Sequence, residues 1–196
     1  MKNIFPFILL LLFSSCEIGK QKKDFEILAD CKFGLEEISS FNLAGVAMEN
    51  ILDGGKFDFH QFPNLVMGLM TNDVPIDANI VLSVYNPSGE DVELSAFDYI
   101  ILVDDIQIAE GKMSDRTTIL SETETYIPLS VKGNAYQAIS SNQQKWIDLL
   151  SGNSETSILL QIKVKPNVNI VGTEVKMPGY LTFEKEINAE LLKKHL

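Results

Sequence analysis

Hydrophobic and polar positions alternate most regularly between Asn79 and Gly111. Ile80, Leu82 and Val84 share one face of an extended segment, and Phe97, Tyr99, Ile101 and Val103 share one face of another. Such a two-residue period predicts half-buried β-strands. Between them Asn86-Pro87-Ser88-Gly89 places Asn, Pro and Gly at the first, second and fourth positions of a turn. Asp104-Asp105 then turns the chain into a shorter strand through Ile106 and Ile108, ended by Gly111. The whole stretch reads as a β-meander. Buried parity is even at Val92 and Leu94 but odd from Phe97 to Val103, so one residue interrupts the alternation near Ser95-Ala96. A bulge or a corner between sheets is expected there.

The same reading extends along the chain. Phe33 to Met48 gives two strand pieces interrupted around Ser39-Ser40, and Asp53-Gly54-Gly55 gives a turn. Gln61 to Met70 has helical spacing, with Pro63 in its first turn. Arg116 to Leu120 and Thr125 to Val131 are strands, although Pro128 argues for an edge position. Asn134 to Leu150 reads as one long amphipathic helix, with Tyr136, Ile139, Trp146, Leu149 and Leu150 on its apolar stripe and Gly152 beyond its end. Ser157 to Lys165 is a strand with one wet face, and Val168–Val171 and Tyr180–Ile187 are the last strands. The expected fold is mainly β: an immunoglobulin-like or fibronectin III-like antiparallel sandwich with one inserted amphipathic helix and a short extra helix.

The N-terminus has a different pattern. Lys2 precedes an apolar run from Ile4 to Phe13, which is too short to span a bilayer, and Ser14-Ser15-Cys16 follows. These residues resemble a bacterial lipoprotein leader, whose small residues precede the cysteine that becomes the lipidated N-terminus. An ordinary secretory leader or a buried N-terminal strand are the alternatives. The resemblance implies residues 1–15 as signal peptide, Cys16 as the lipidation site and an envelope location facing the periplasm or the surface. Residues 16–30 are then a lipidated tether, 31–188 a single domain and 189–196 a tail that reads as a short helical or frayed end. With Cys16 acylated, Cys31 has no intramolecular disulfide partner, and a small buried hydrophobe is its expected role. More than one acyl chain would make the membrane attachment stable, at about 0.8 kcal/mol per buried methylene.

Charge and composition narrow the function. The net charge is −11, and Arg116 is the one arginine of the 196 residues, so nucleic acid is excluded as a partner. No metalloprotease, phosphate-loop, dinucleotide or nucleophile-elbow spacing occurs, and no Cys/His cluster suits zinc. An enzyme would have to depend on His60, since His195 lies in the tail. The acidic pairs Glu36-Glu37, Glu90-Asp91 and Asp104-Asp105 fall beside turns and lack calcium-loop spacing. No cofactor or metal is expected.

Val84-Tyr85-Asn86-Pro87, the strand Phe97 to Asp105 and Ile108-Ala109-Glu110-Gly111 resemble a late embryogenesis abundant type 2 domain, the group that includes the water stress and hypersensitive response domain. Ser88 stands where that group often has a second Asn. The resemblance implies a sandwich, no enzyme activity and a role in stress protection or interaction. Asn86, Pro87 and Gly89 are assigned a structural turn role. Trp146 is foremost a core anchor, and Trp146 and Tyr136 are also the candidate interaction residues. The leading expectation is a monomeric, non-catalytic domain that contacts another macromolecule, an unknown protein or glycan. The other is a pocket for a small apolar or glycan ligand between the sandwich and the helix at 134–150.

Overall fold

The computed structural model describes residues 23, 26–53, 57–94, 96–170, 173–176 and 179–195. It is mainly β. One curled antiparallel sheet contains β1 (Lys32–Leu43), β2 (Val46–Ala47), β3 (Pro75–Tyr85), β5 (Phe97–Val103), β6 (Ile106–Met113), β8 (Glu124–Asn134), β9 (Ser157–Ile170), β10 (Thr173–Lys176) and β11 (Leu181–Asn188). Strands β4 (Val92–Leu94) and β7 (Thr117–Ile119) form a separate two-stranded ribbon. Besides a helical stretch at residues 26–30 and a single turn at Phe59–Gln61, the described helices are α1 (Met48–Asp53), α2 (Pro63–Thr71), α3 (Tyr136–Ser141), α4 (Gln143–Leu150) and α5 (Ala189–His195).

The curled sheet has two parts. One runs β11-β9-β5-β6, with β10 extending it as a hairpin on β9; the other runs β8-β3-β1-β2. Among the described residues, β6 and β8 are joined by a single bridged pair, Ala109 opposite Gly133. Gly133 is required there by space, because a Cβ would stand 2.0 Å from the Ile108 carbonyl oxygen. A second link is the Tyr99 hydroxyl on β5, which donates to the Ser130 carbonyl on β8 at 2.7 Å. Tyr99 itself lies opposite Gly111 in the β5–β6 hairpin, and a Cβ on Gly111 would fall 2.3 Å from the Tyr99 oxygen. The glycine that ends the sequence motif thus leaves room for the ring that ties the two parts together. Between them lies one core, in which Ile80 and Leu82 of β3 and Ile127 and Leu129 of β8 join Ile101 of β5 and Ile162 of β9.

The meander is corrected in its pairing. β3 pairs with β1 and β8, while β5 pairs with β6 and β9, so the two long strands of the motif belong to different parts of the sheet. Val92 to Leu94 pairs with β7, and the chain then enters the main sheet at Phe97, which is the change of sheet that the parity switch indicated. The turn at Asp104-Asp105 has both residues at positive φ, 48° and 66°, matching the twist that a two-residue hairpin needs. The break near Ser39-Ser40 is a bulge within one strand: Ser40 has φ 55°, and the β1–β3 register shifts between Ser39 and Asn42. Pro128 lies in β8, which is bridged to β6 only at Gly133, so the proline occupies an otherwise open edge.

Two further expectations need correction. The long helix is two short ones, α3 and α4, broken at Asn142 (φ −150°, ψ 70°). Its side chain accepts a hydrogen bond from Lys145 N at 3.2 Å and caps α4, while Ser141 Oγ donates back to the Ala138 carbonyl at 2.9 Å. These local bonds compete with continuation of the helix. The tether expected over residues 16–30 is too long, since residues 26–30 are helical and bury Ile27 and Leu28 in the core. At the C-terminal end the helical alternative holds for Ala189–His195, which docks on the domain: Asn188 Oδ1 accepts from Leu191 N at 2.8 Å, and Ala189 and Leu192 are buried. The turn expected at residues 53–55 lies outside the described residues after Asp53.

Candidate functional site

Asn86 is fully buried at the end of β3. Its Oδ1 accepts from Ser88 N at 2.9 Å, and its Nδ2 donates to the carbonyls of Glu90 at 2.9 Å and Ile119 at 3.4 Å. Its backbone N–H donates to the Thr123 carbonyl at 3.1 Å. One side chain therefore closes the turn after β3 and ties it to β7. Pro87 and Gly89 are exposed, and a Cβ on Gly89 would meet nothing within 4 Å, so no steric requirement holds glycine there. Asp91 Oδ1 reinforces the same corner by accepting from Ser121 N at 2.8 Å. This is a register device with its polar atoms occupied internally.

Trp146 and Tyr136 do not form one surface. Trp146 is 6% exposed and donates from Nε1 to the Ala138 carbonyl at 2.9 Å, which fastens α4 to α3. Tyr136 is half-buried at the start of α3, where its N–H donates to Asn134 Oδ1 at 2.9 Å. It borders an open, polar cleft of about 570 Å³ with Asn72, Gln107 and Lys132. Trp146 instead lines an interior cavity of about 70 Å³ whose walls are wholly apolar. That cavity lies under α4, between Ile80 and Ala78 of β3 and Ile101 and Leu160 of the other part of the sheet.

The remaining polar candidates are dispersed. His60 is exposed in the short turn of helix Phe59–Gln61, and its N–H donates to Asp58 Oδ1 at 2.9 Å. Its side chain faces no cluster of metal-ligating groups, since none of three or more occurs among the described residues. Asp104 Oδ2 pairs with Lys145 Nζ at 2.6 Å, and its Oδ1 accepts from Leu159 N at 2.9 Å, so this acidic turn locks α4 onto the β5–β6 hairpin. Glu90 pairs with Lys23 at 2.6 Å. Cys31 is buried, and its thiol is pushed up to about 11 by burial first and by the charge of Asp30 second, so it stays protonated and unreactive at neutral pH. Cys16 and the leader lie outside the described residues.

Two features of the interior had no motif to mark them. The cavity arises from strands distant in sequence. Lys185 is half-buried on β11 opposite Leu160, and its Nζ donates to the Leu35 carbonyl at 3.3 Å across the seam between β11 and β1.

No family model matches the chain, and no curated protein sequence does. Among solved structures it is similar to a protein from Archaeoglobus fulgidus at 15% identity and a TM-score of 0.35, over 79% of this chain and 97% of that one. It is similar to a solution structure from Arabidopsis thaliana at 16% identity and a TM-score of 0.40, over 59% of this chain and 70% of that one. It is also similar to the solution structure of a candidate late embryogenesis abundant (LEA) protein, at 13% identity and a TM-score of 0.36, over 93% and 86% of the two chains.

Proposed function

We propose that this chain is a lipid-anchored, non-catalytic domain of the bacterial cell envelope that contacts another macromolecule or protects envelope components under stress. The observation that carries the reading is the succession of Lys2, the apolar run Ile4 to Phe13 and Ser14-Ser15-Cys16. A lipidated Cys16 makes a membrane the first partner, and residues 17–25 leave a short connection before the buried Ile27. The domain acts as a monomer. The acidic surface is suited to neither nucleic acid nor an anionic membrane face, so contact with the bilayer is assigned to the lipid.

The finer architecture we assign is a sandwich of immunoglobulin-like or fibronectin III-like kind. What supports it is the division of the curled sheet at Ala109–Gly133, with one core between the two parts. The internal use of Asn86, the exposure of an isolated His60 and the dispersal of the acidic pairs support a role without catalysis. Membrane fractionation of cells producing the full chain and its Cys16→Ser variant tests the proposal. Release of the variant into the soluble fraction is expected, and unchanged partitioning would overturn the anchor.

A further inference from the structure

We propose that the interior cavity and Lys185 together form a binding site for a short alkyl monocarboxylate. The cavity wall has no polar side chain: Ala78, Ile80, Ile101, Trp146, Leu160 and Ile187 are among its residues. A glycan or a polar headgroup would lose its hydrogen bonds there without replacement, at a cost of roughly 2–7 kcal/mol per group. An apolar cavity of this kind stays dry and takes an apolar guest, as a larger one of ~150 Å³ does with benzene. At about 70 Å³ the space suits a slim chain rather than a ring.

Lys185 supplies the other end of the ligand. In the β9–β11 register Lys185 lies opposite Leu160 and two residues before Ile187, and both of those line the cavity. Residues directly opposite on an antiparallel pair, and those two apart on one strand, share a face. Lys185 is thus a cation on the cavity's own face, at the seam where β1 and β11 approach without a bridged pair among the described residues. The partner it holds is neutral: the Leu35 carbonyl, beside the register shift between Leu35 and Glu37. The stack of Phe33 on Phe183, with ring centroids 6.4 Å apart, flanks the same seam. A carboxylate exchanging for the Leu35 carbonyl gives Lys185 a charge-assisted bond, while the chain enters between Leu160 and Ile187.

The site is independent of Cys16, so its failure and that of the anchor are separable. The test is a titration of the methyl-labelled full chain with butyrate and with butanol, followed by NMR. Butyrate is expected to give saturable shifts at the methyls of Ile101, Leu160 and Ile187. Lys185→Met, which keeps an unbranched side chain without the charge, should weaken butyrate at least tenfold and leave butanol unchanged. Ala78→Leu should abolish the interior shifts for both. Equal affinity of butyrate and butanol for the unaltered chain would overturn the role of Lys185. Shifts confined to surface methyls, or interior shifts that survive Ala78→Leu, would overturn the cavity. Should Ala78→Leu not fold, xenon under pressure decides with the unaltered chain: saturable shifts at the same methyls support the site, and their absence overturns it.

Discussion

Ala109 and Gly133 are the bridged pair through which the two parts of the curled sheet meet, and the space between their strands admits no side chain on residue 133. Because a Cβ would press on the Ile108 carbonyl at 2.0 Å, relief requires movement of backbone rather than a rotamer change. Gly133→Val should therefore destabilise the protein by about 3 kcal/mol, and Gly89→Ala, in open space, by less than about 0.5 kcal/mol. Urea denaturation of the two variants measures the contrast.

Asn86→Ala removes a buried side chain that serves three backbone groups. The carbonyl of Ile119 loses that partner at a buried position and the amide of Ser88 at a half-buried one, so a loss of about 2 kcal/mol is expected. Hydrogen exchange should accelerate first in the β4–β7 ribbon, which this side chain ties to the end of β3. Uniform acceleration across β5 and β9 would show that Asn86 supports the whole domain instead.

The Asp104–Lys145 pair is about a third exposed, so its coupling should be modest despite the 2.6 Å separation. A double-mutant cycle with Asp104→Asn and Lys145→Met should give about 0.5–1 kcal/mol. Asn at 104 retains an acceptor for Leu159 N and tolerates the positive φ of 48°.

Cys31 gives a pH dependence of defined sign. Its folded-state thiol titrates near 11, above the ordinary value of 9.0, because burial disfavours the thiolate. The unfolded chain releases that proton first as pH rises, so stability contributed by the buried neutral thiol is present below pH 9 and declines between pH 9 and 11. Urea midpoints at pH 8 and pH 10.5 should fall further for the unaltered chain than for Cys31→Ala.

Local alternation revealed the strands but not their neighbours. The period of Phe97 to Val103 and of Ile158 to Val164 is visible because each strand has one face on the core. That β3 and β5 separate, while β5 pairs with β9 some sixty residues later, depends on contacts no local pattern encodes. The apolar stripe from Tyr136 to Leu150 concealed the Asn142 cap, since helical spacing persists across a break of one residue. Glu26 to Asp30 was legible only as part of a tether and Ala189 to His195 as a short helical or frayed end, although Ile27, Leu28 and Leu192 complete the core. Asn86 was legible as a turn residue, because its hydrogen bonds to the turn are short-range; its reach to Ile119 was not. Lys185 was hidden for a related reason: its strand alternates Leu181, Phe183, Lys185 and Ile187, and a lysine on the apolar side has meaning only beside the seam it closes.

The central claim is the anchor at Cys16, and mass spectrometry of the mature N-terminus tests it most directly. The account predicts that the chain begins at residue 16 and that its first residue carries acyl mass. A mature chain beginning with an unmodified Cys16, or one cleaved elsewhere, would contradict it.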